Sequence, residues 1–174
     1  VKSRFDEIIE RQNTDSLKWD YRKQRFGKED ILPMWVADMD FKSPAPISVA
    51  LIRRVEHGVY GYTQVSDRLS DALSGWLKKR HDWLIDKSWL VYSPGVVTSV
   101  NTAILAYTDP GDRVLMQTPI YYPFYSSIRD NERELVVNPL RNNNGYYDID
   151  FADLEKKLAD NVRLMILCSP HNPI

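Results

Sequence analysis

Apolar residues recur along this chain in two rhythms, and the rhythm changes near residue 89. Before that point, three-and-four spacing marks helices. Ser3 reads as the N-cap of a short helix through about Gln12. A polar, aromatic stretch runs to Asp30, followed by the apolar ILPMWVADMDF, which Pro33 pins. Pro44 and Pro46 precede a predicted helix over about Ile47 to His57, with Gly58 as its stop. After VYGYTQ, the residues Val65, Leu69, Ala72, Leu73, Trp76 and Leu77 make one apolar stripe at helical spacing.

Beyond residue 89 short apolar runs alternate with helical ones. WLVYS reads as a strand, and PGVVTSVNTAILAYT as a helix with Val96, Val100, Ala103, Ile104 and Tyr107 on one face. DPGD (109–112) is a turn, RVLMQ a strand, YYPFYSSIRDN a helix and ELVVNPL a strand. RNNNGYYD (141–148) reads as a polar turn. Asp150 caps a helix carrying Phe151, Leu154 and Leu158, and RLMILCS is the last strand. Strands separated by helices imply right-handed crossovers and a mostly parallel sheet, an α/β fold of three αβα layers. No internal repeat interrupts this order.

Composition narrows the partners. The 174 residues are 43% hydrophobic and 27% charged, the balance of a chain that buries a core. With 23 basic and 24 acidic residues the formal charge is −1, and no Lys/Arg stripe points to nucleic acid. The one cysteine, Cys168, excludes an internal disulfide framework and fits a reducing compartment. No apolar run approaches the roughly 20 residues that span a bilayer. VKSRFDEIIE is patterned as an amphipathic helix rather than a signal peptide, so a cytoplasmic location is expected. Position 1 is Val rather than an initiator Met, so a processed or trimmed start is expected.

In a doubly wound sheet, ligands sit outside the carboxyl ends of the strands. SPGVVTS places Gly95 in a tight strand-to-helix turn, with the amides of Val96 and Val97 at a helix N-terminus suited to phosphate. TPIYYPF brings two tyrosines to the next strand end, where a ring can stack on a planar ligand. CSPHNPI holds Asn172 between two prolines, and its amide can donate to a phenolate-type oxygen. Each has a plain structural alternative: a simple turn, packing aromatics, and a Pro-rich turn with an Asn cap. Cys168 reads as a core residue and His171 as a turn residue. Together, the three strand ends fit a phosphorylated pyridine ring.

LPMWVADMDF (32–41), HGVYGYT (57–63), SPGVV (93–97), TPIYYPF (118–124) and CSPHNP (168–173) resemble, in order and spacing, the fold-type I pyridoxal-phosphate enzymes of the class I/II aminotransferase superfamily. MWVADMDF is similar to the cystathionine β-lyase, or cystalysin, branch. The resemblance implies a transferase-like large domain, incomplete here, and part of a small domain, with residues 1–45 as arm and small-domain segment and 46–174 as large domain. It implies that Gly95, Val96 and Val97 cradle the cofactor phosphate, that Tyr121 (with Tyr122 as fallback) stacks on the ring, and that Asn172 meets its 3′-oxygen. Tyr62 is implied to reach the phosphate of a neighbouring subunit in a homodimer. Trp35, Ala37 and Asp38 are implied to line the pocket for a small amino-acid substrate.

The Schiff-base lysine of the family matches none of the ten lysines here, and is expected beyond Ile174 together with the ring-nitrogen aspartate and the carboxylate-binding arginine. The implied activity is β-elimination from cystathionine or cysteine, giving thiol, pyruvate and ammonia. The alternatives are an aminotransferase on the same scaffold, or a non-catalytic fragment or regulator. No metal is implied. Residues 1–174 alone are expected to be inactive and to expose an apolar sheet edge.

Overall fold

The structure, a computed structural model, describes residues 4–174. Two compact units divide it, one ending at Val65 and the other running from Ser66 to Ile174.

In the first unit, α1 (Arg22–Phe26) is a short helix closed by Gly27, and α2 (Ala45–His57) is the long one. Pro44 caps α2 and Pro46 sits in its first turn, where no backbone donor is lost. Gly58 ends it at φ 73°, in the left-handed region that glycine enters without penalty. The predicted helix through Gln12 is not there. Ser3 lies outside the described residues, and a single 3-10 turn, Arg4–Asp6, precedes an irregular segment. The reason is tertiary: Glu7 pairs with Lys42 and Arg11 reaches Asp38 and Asp40, while Ile8 stands in solvent with no face to pack.

The second unit opens with α3 (Asp67–His81) and continues with α4 (Val96–Tyr107). The predicted strand WLVYS is absent. Lys87–Trp89 is instead a 3-10 turn whose Asp86 side chain accepts from the Ser88 N–H. A strand exists through its ladder, and among the described residues this segment has none to join. The Tyr92 hydroxyl meets Ser70 Oγ at 2.9 Å instead.

Then follow β1 (Arg113–Thr118), α5 (Pro123–Arg129), β2 (Glu134–Pro139), β3 (Arg141–Asn143), β4 (Tyr146–Asp148), α6 (Phe151–Leu158) and β5 (Val162–Ile166). The main sheet has the order β2-β1-β5, with both pairings parallel. Val114, Leu115, Met116 and Gln117 of the central strand have no exposed surface. Val114 and Met116 meet Ile104 of α4 and Phe124 and Ile128 of α5. Leu115 points the other way, to Leu154 of α6 and to Val136. These are the three layers expected from the alternation. Asp150 caps α6 by accepting from the Asp153 N–H at 3.1 Å, as the sequence predicts.

RNNNGYYD is an antiparallel hairpin rather than a plain turn. Asn144 and Gly145 both have positive φ (54° and 94°), which is the two-residue turn that an Asn-Gly pair favours. Within α4 only Ile104 of the predicted face is buried, and Val96 and Tyr107 are exposed.

A polar chain fastens α6 to the sheet. Lys157 Nζ and Asn138 Nδ2 donate to Asp153 Oδ2 at 2.6 and 2.8 Å, and hold its carboxyl below the usual carboxylate range. A depressed carboxyl stabilises the fold above its unfolded value, near 3.9, and loses that contribution as pH falls through the lower folded value. Asp153→Asn is therefore expected to flatten the acid limb of stability below about pH 4, read by denaturation at stepped pH. Leu115→Ala, at a fully buried position, is expected to cost about 2–5 kcal/mol in chemical unfolding.

Candidate functional site

The carboxyl ends of the parallel strands meet on one edge of the second unit, where the loops carrying Tyr121 and Asn172 leave β1 and β5, while Gly95 stands before α4, which packs against α5 and β5. Gly95 is the residue before α4. Its backbone is extended (φ 171°, ψ 163°), a conformation open to any residue, so the expected tight turn is not why glycine stands here. A Cβ at Gly95 would meet nothing within 4 Å. What the missing side chain leaves is open space in front of the first helical turn.

That turn is prepared for an anion. It has no side-chain cap and no acidic residue, so the first amides of a 12-residue helix keep their donors and their partial positive charge. The Gly95 carbonyl, on the peptide that carries the Val96 N–H, accepts from the Ser99 N–H (3.0 Å), Ser99 Oγ (3.2 Å) and Ser93 Oγ (3.2 Å). Val96 and Val97 are both exposed.

Tyr121 and Tyr122 follow β1. Tyr121 is 37% exposed against 65% for Tyr122, which favours Tyr121 as the fixed ring. Its ring lies 5.4 Å from Tyr122 and stands at 84° to Phe124, 5.9 Å away. Asn172 is exposed in the loop after β5. The neighbouring His171 ring bonds from Nε2 to the Pro119 carbonyl at 2.7 Å, so the Asn172 and Tyr121 loops are tied together. Cys168 is half-buried against the core, in keeping with its predicted packing role.

The other predicted residues belong to the first unit. Trp35 is half-buried, edge-on to Phe26 at 5.3 Å, with the Arg25 guanidinium 5.3 Å from its ring centroid. Its indole Nε1 is buried without a partner. Ala37 and Asp38 are exposed, and Asp38 pairs with Arg11 at 2.5 Å. Asp40 accepts from Arg11, Lys18 and Trp19 at 2.7, 2.8 and 2.8 Å, and the Lys18 and Trp19 hydrogen bonds keep its carboxyl below the usual range. The Arg11 guanidinium is correspondingly raised, first by its bond to Asp38. Tyr62 is fully exposed.

Two features escaped the sequence reading. Val36 lies at φ 60°, a left-handed conformation unusual for a β-branched residue, immediately before Ala37. Such strain gathers at functional sites, and nothing in the residue type announces it. A cleft of about 620 Å³ opens beside β5, lined by Gln117, Leu140, Tyr146, Tyr147, Leu167 and Cys168 among others. It contains none of Gly95, Tyr121 and Asn172, so it is not where the predicted cofactor contacts converge.

The family model "Aminotransferase class I and II" matches residues 49–174. Cystathionine beta-lyase PatB of Bacillus subtilis is 49% identical over 97% of this chain and 44% of its own length. The PLP-bound C-S lyase of Staphylococcus hominis superposes with TM-score 0.91 at 36% identity, over 99% of this chain and 44% of that one. Cystalysin of Treponema denticola, which contains pyridoxal 5'-phosphate, gives TM-score 0.89 at 38% identity, over 96% and 43%. The chain thus spans less than half of the length of the curated relatives it matches, 44% for PatB. Among the described residues no helix is long and apolar enough to cross a membrane.

Val36→Gly is expected to change stability by less than about 1 kcal/mol. Relief of about 1–2 kcal/mol of left-handed strain offsets the lost side chain and the added chain entropy of glycine. A loss of several kcal/mol in chemical denaturation would contradict a strained Val36.

Proposed function

Because the chain belongs to the class I and II aminotransferase family, we propose that the intact protein is a pyridoxal-phosphate-dependent carbon–sulfur β-lyase, releasing thiol, pyruvate and ammonia from cystathionine or cysteine. The observation that carries the reading is the uncapped N-terminus of α4, open in front of Gly95, on the same unit as Tyr121 and Asn172. The donor set suits the cofactor: backbone amides for a phosphate, a partly fixed ring for a planar pyridine, and a side-chain amide for a phenolic oxygen. The kinship with proteins named as cystathionine and C-S lyases supports the lyase over other chemistries of the family.

In this reading Val96 and Val97, with Gly95, bind the phosphate through backbone N–H groups. Tyr121 orients the ring, and Asn172 donates to the 3′-oxygen. Trp35, Ala37 and Asp38 border the amino-acid substrate. Tyr62, fully exposed on its own chain, serves the phosphate of a second subunit in a homodimer. When bound, pyridoxal phosphate supplies the electron sink that stabilises negative charge at the substrate Cα. Residues 1–45 are assigned to the arm and small domain and 46–174 to the large domain, and the enzyme works in the cytoplasm.

The intact protein is expected to convert cystathionine to pyruvate in step with thiol release. Transamination of cystathionine without pyruvate would replace the lyase with an aminotransferase. Tyr121→Ala is expected to weaken cofactor retention about three- to tenfold in equilibrium dialysis, the value of one lost ring contact.

A further inference from the structure

A ligand that touches both the first turn of α4 and the ring of Tyr121 needs those two segments held at a fixed separation. A polar cluster between α4 and α5 does this. Asn101, one turn inside α4, donates from Nδ2 to the Val97 carbonyl at 2.8 Å and to Ser127 Oγ of α5 at 2.9 Å. Its Oδ1 accepts from Asn131 Nδ2 at 2.6 Å, and the same Asn131 amide donates to the Ser127 carbonyl at 2.7 Å. Ser127 is buried, and both asparagines are half-buried.

The cluster adjoins an apolar contact. Ile104 of α4 packs there against Phe124 and Ile128 of α5. An apolar side chain at position 101 would suit that seam, and asparagine is a poor helix former, so packing and propensity alone do not select it. The other end of α4 is already fixed. The buried Arg133 donates from Nε to Thr108 Oγ1 at 2.8 Å and from Nη2 to the Thr108 carbonyl, where the helix ends. What remains to be set is the placement of the first turn, and Asn101 bonds directly to it.

We propose that Asn101 is a positioning residue for the phosphate cradle, locking the Val97 turn to α5 and thereby to the tyrosines that precede α5. The inference rests on the reading that Gly95, Val96 and Val97 hold the cofactor phosphate. Donation to the Val97 carbonyl also polarises the peptide it shares with Thr98, which strengthens the Thr98 N–H as a donor at the same helix end. Asn101 touches no ligand itself and acts through that turn.

The test uses the cofactor-free intact protein, with dissociation constants for pyridoxal phosphate, unphosphorylated pyridoxal and inorganic phosphate, and thermal unfolding alongside. Asn101→Leu keeps the branched shape, in a somewhat larger side chain, and removes the hydrogen bonds. It is expected to weaken pyridoxal phosphate and inorganic phosphate about tenfold while leaving pyridoxal affinity and the melting temperature nearly unchanged. Equal losses for pyridoxal phosphate and pyridoxal, or no loss for either, would overturn the proposal. If Asn101→Leu does not fold, Ser127→Ala removes the direct bond from Asn101 to α5 and leaves the Asn131 bridge; a smaller loss of the same kind, for pyridoxal phosphate and inorganic phosphate but not pyridoxal, is expected, and equal losses or none refute the proposal. If the unsubstituted protein binds pyridoxal as tightly as pyridoxal phosphate, the cradle reading itself falls, and this inference with it. An intact phosphate preference that Asn101→Leu leaves unchanged defeats the inference alone.

Discussion

Everything in the second unit depends on one strand having no exposed side. β1 is flanked by β2 and β5 and covered above and below, so Val114 to Gln117 lose all contact with water. A strand buried on both faces must be apolar along its length and must have partners on both edges. VLM meets the first demand, and parallel pairing from Arg113↔Glu134 to Thr118↔Pro139 meets the second. Because the pairing is parallel, Thr118, Pro139 and Ile166 all leave the sheet on the same side. The loops that carry Tyr121 and Asn172 are neighbours for that reason, and His171 bonding to Pro119 fixes their closeness.

Burial leaves one inner row of that strand polar. Gln117 faces its register partner Asn138, with Nε2 and Oδ1 3.4 Å apart, and Asn138 passes the contact on to Asp153 and the Asp150 carbonyl. The Gln117 Oε1 remains without a donor. The first unit is organised differently. It buries little, and its arm is held by charge: Arg11, Lys18 and Trp19 converge on Asp40, while the backbone N–H groups of Asn13, Thr14 and Ser16 converge on Asp20. The MWVADMDF segment is thus tied down by its Asp38 and Asp40 carboxylates and by the Trp35 ring against Phe26, and is strained at Val36.

The parts of this architecture that could be read in advance are those where local chemistry and tertiary packing agree. The α2 helix is marked at both ends by Pro44 and Gly58, and the β1, β2 and β5 runs are apolar because β1 is buried and its two neighbours are half-buried against the core. Where the two disagree, local pattern misleads. VKSRFDEIIE has helical spacing, but Arg11 is drawn to Asp38 and Asp40, and among the described residues only the 3-10 turn Arg4–Asp6 forms there. WLVYS has strand composition and no ladder to join. The Asn-Gly turn of the β3–β4 hairpin was legible in principle, and the polar residues around it disguised the strands. At the site, residue types and order pointed to the ligand chemistry. The extended backbone of Gly95, the left-handed Val36 and the Asn101 cluster depend on three-dimensional context that no spacing encodes.

The central claim is that the carboxyl edge of this sheet, with the N-terminus of α4, is a cofactor seat. A crystal structure of the intact protein grown with pyridoxal phosphate tests it most directly. The account predicts phosphate oxygens within about 3 Å of the Val96 and Val97 amides, the pyridine ring stacked on Tyr121, and the 3′-oxygen at the Asn172 amide. A cofactor ordered elsewhere, for instance in the cleft beside Gln117 and Tyr146, would contradict it.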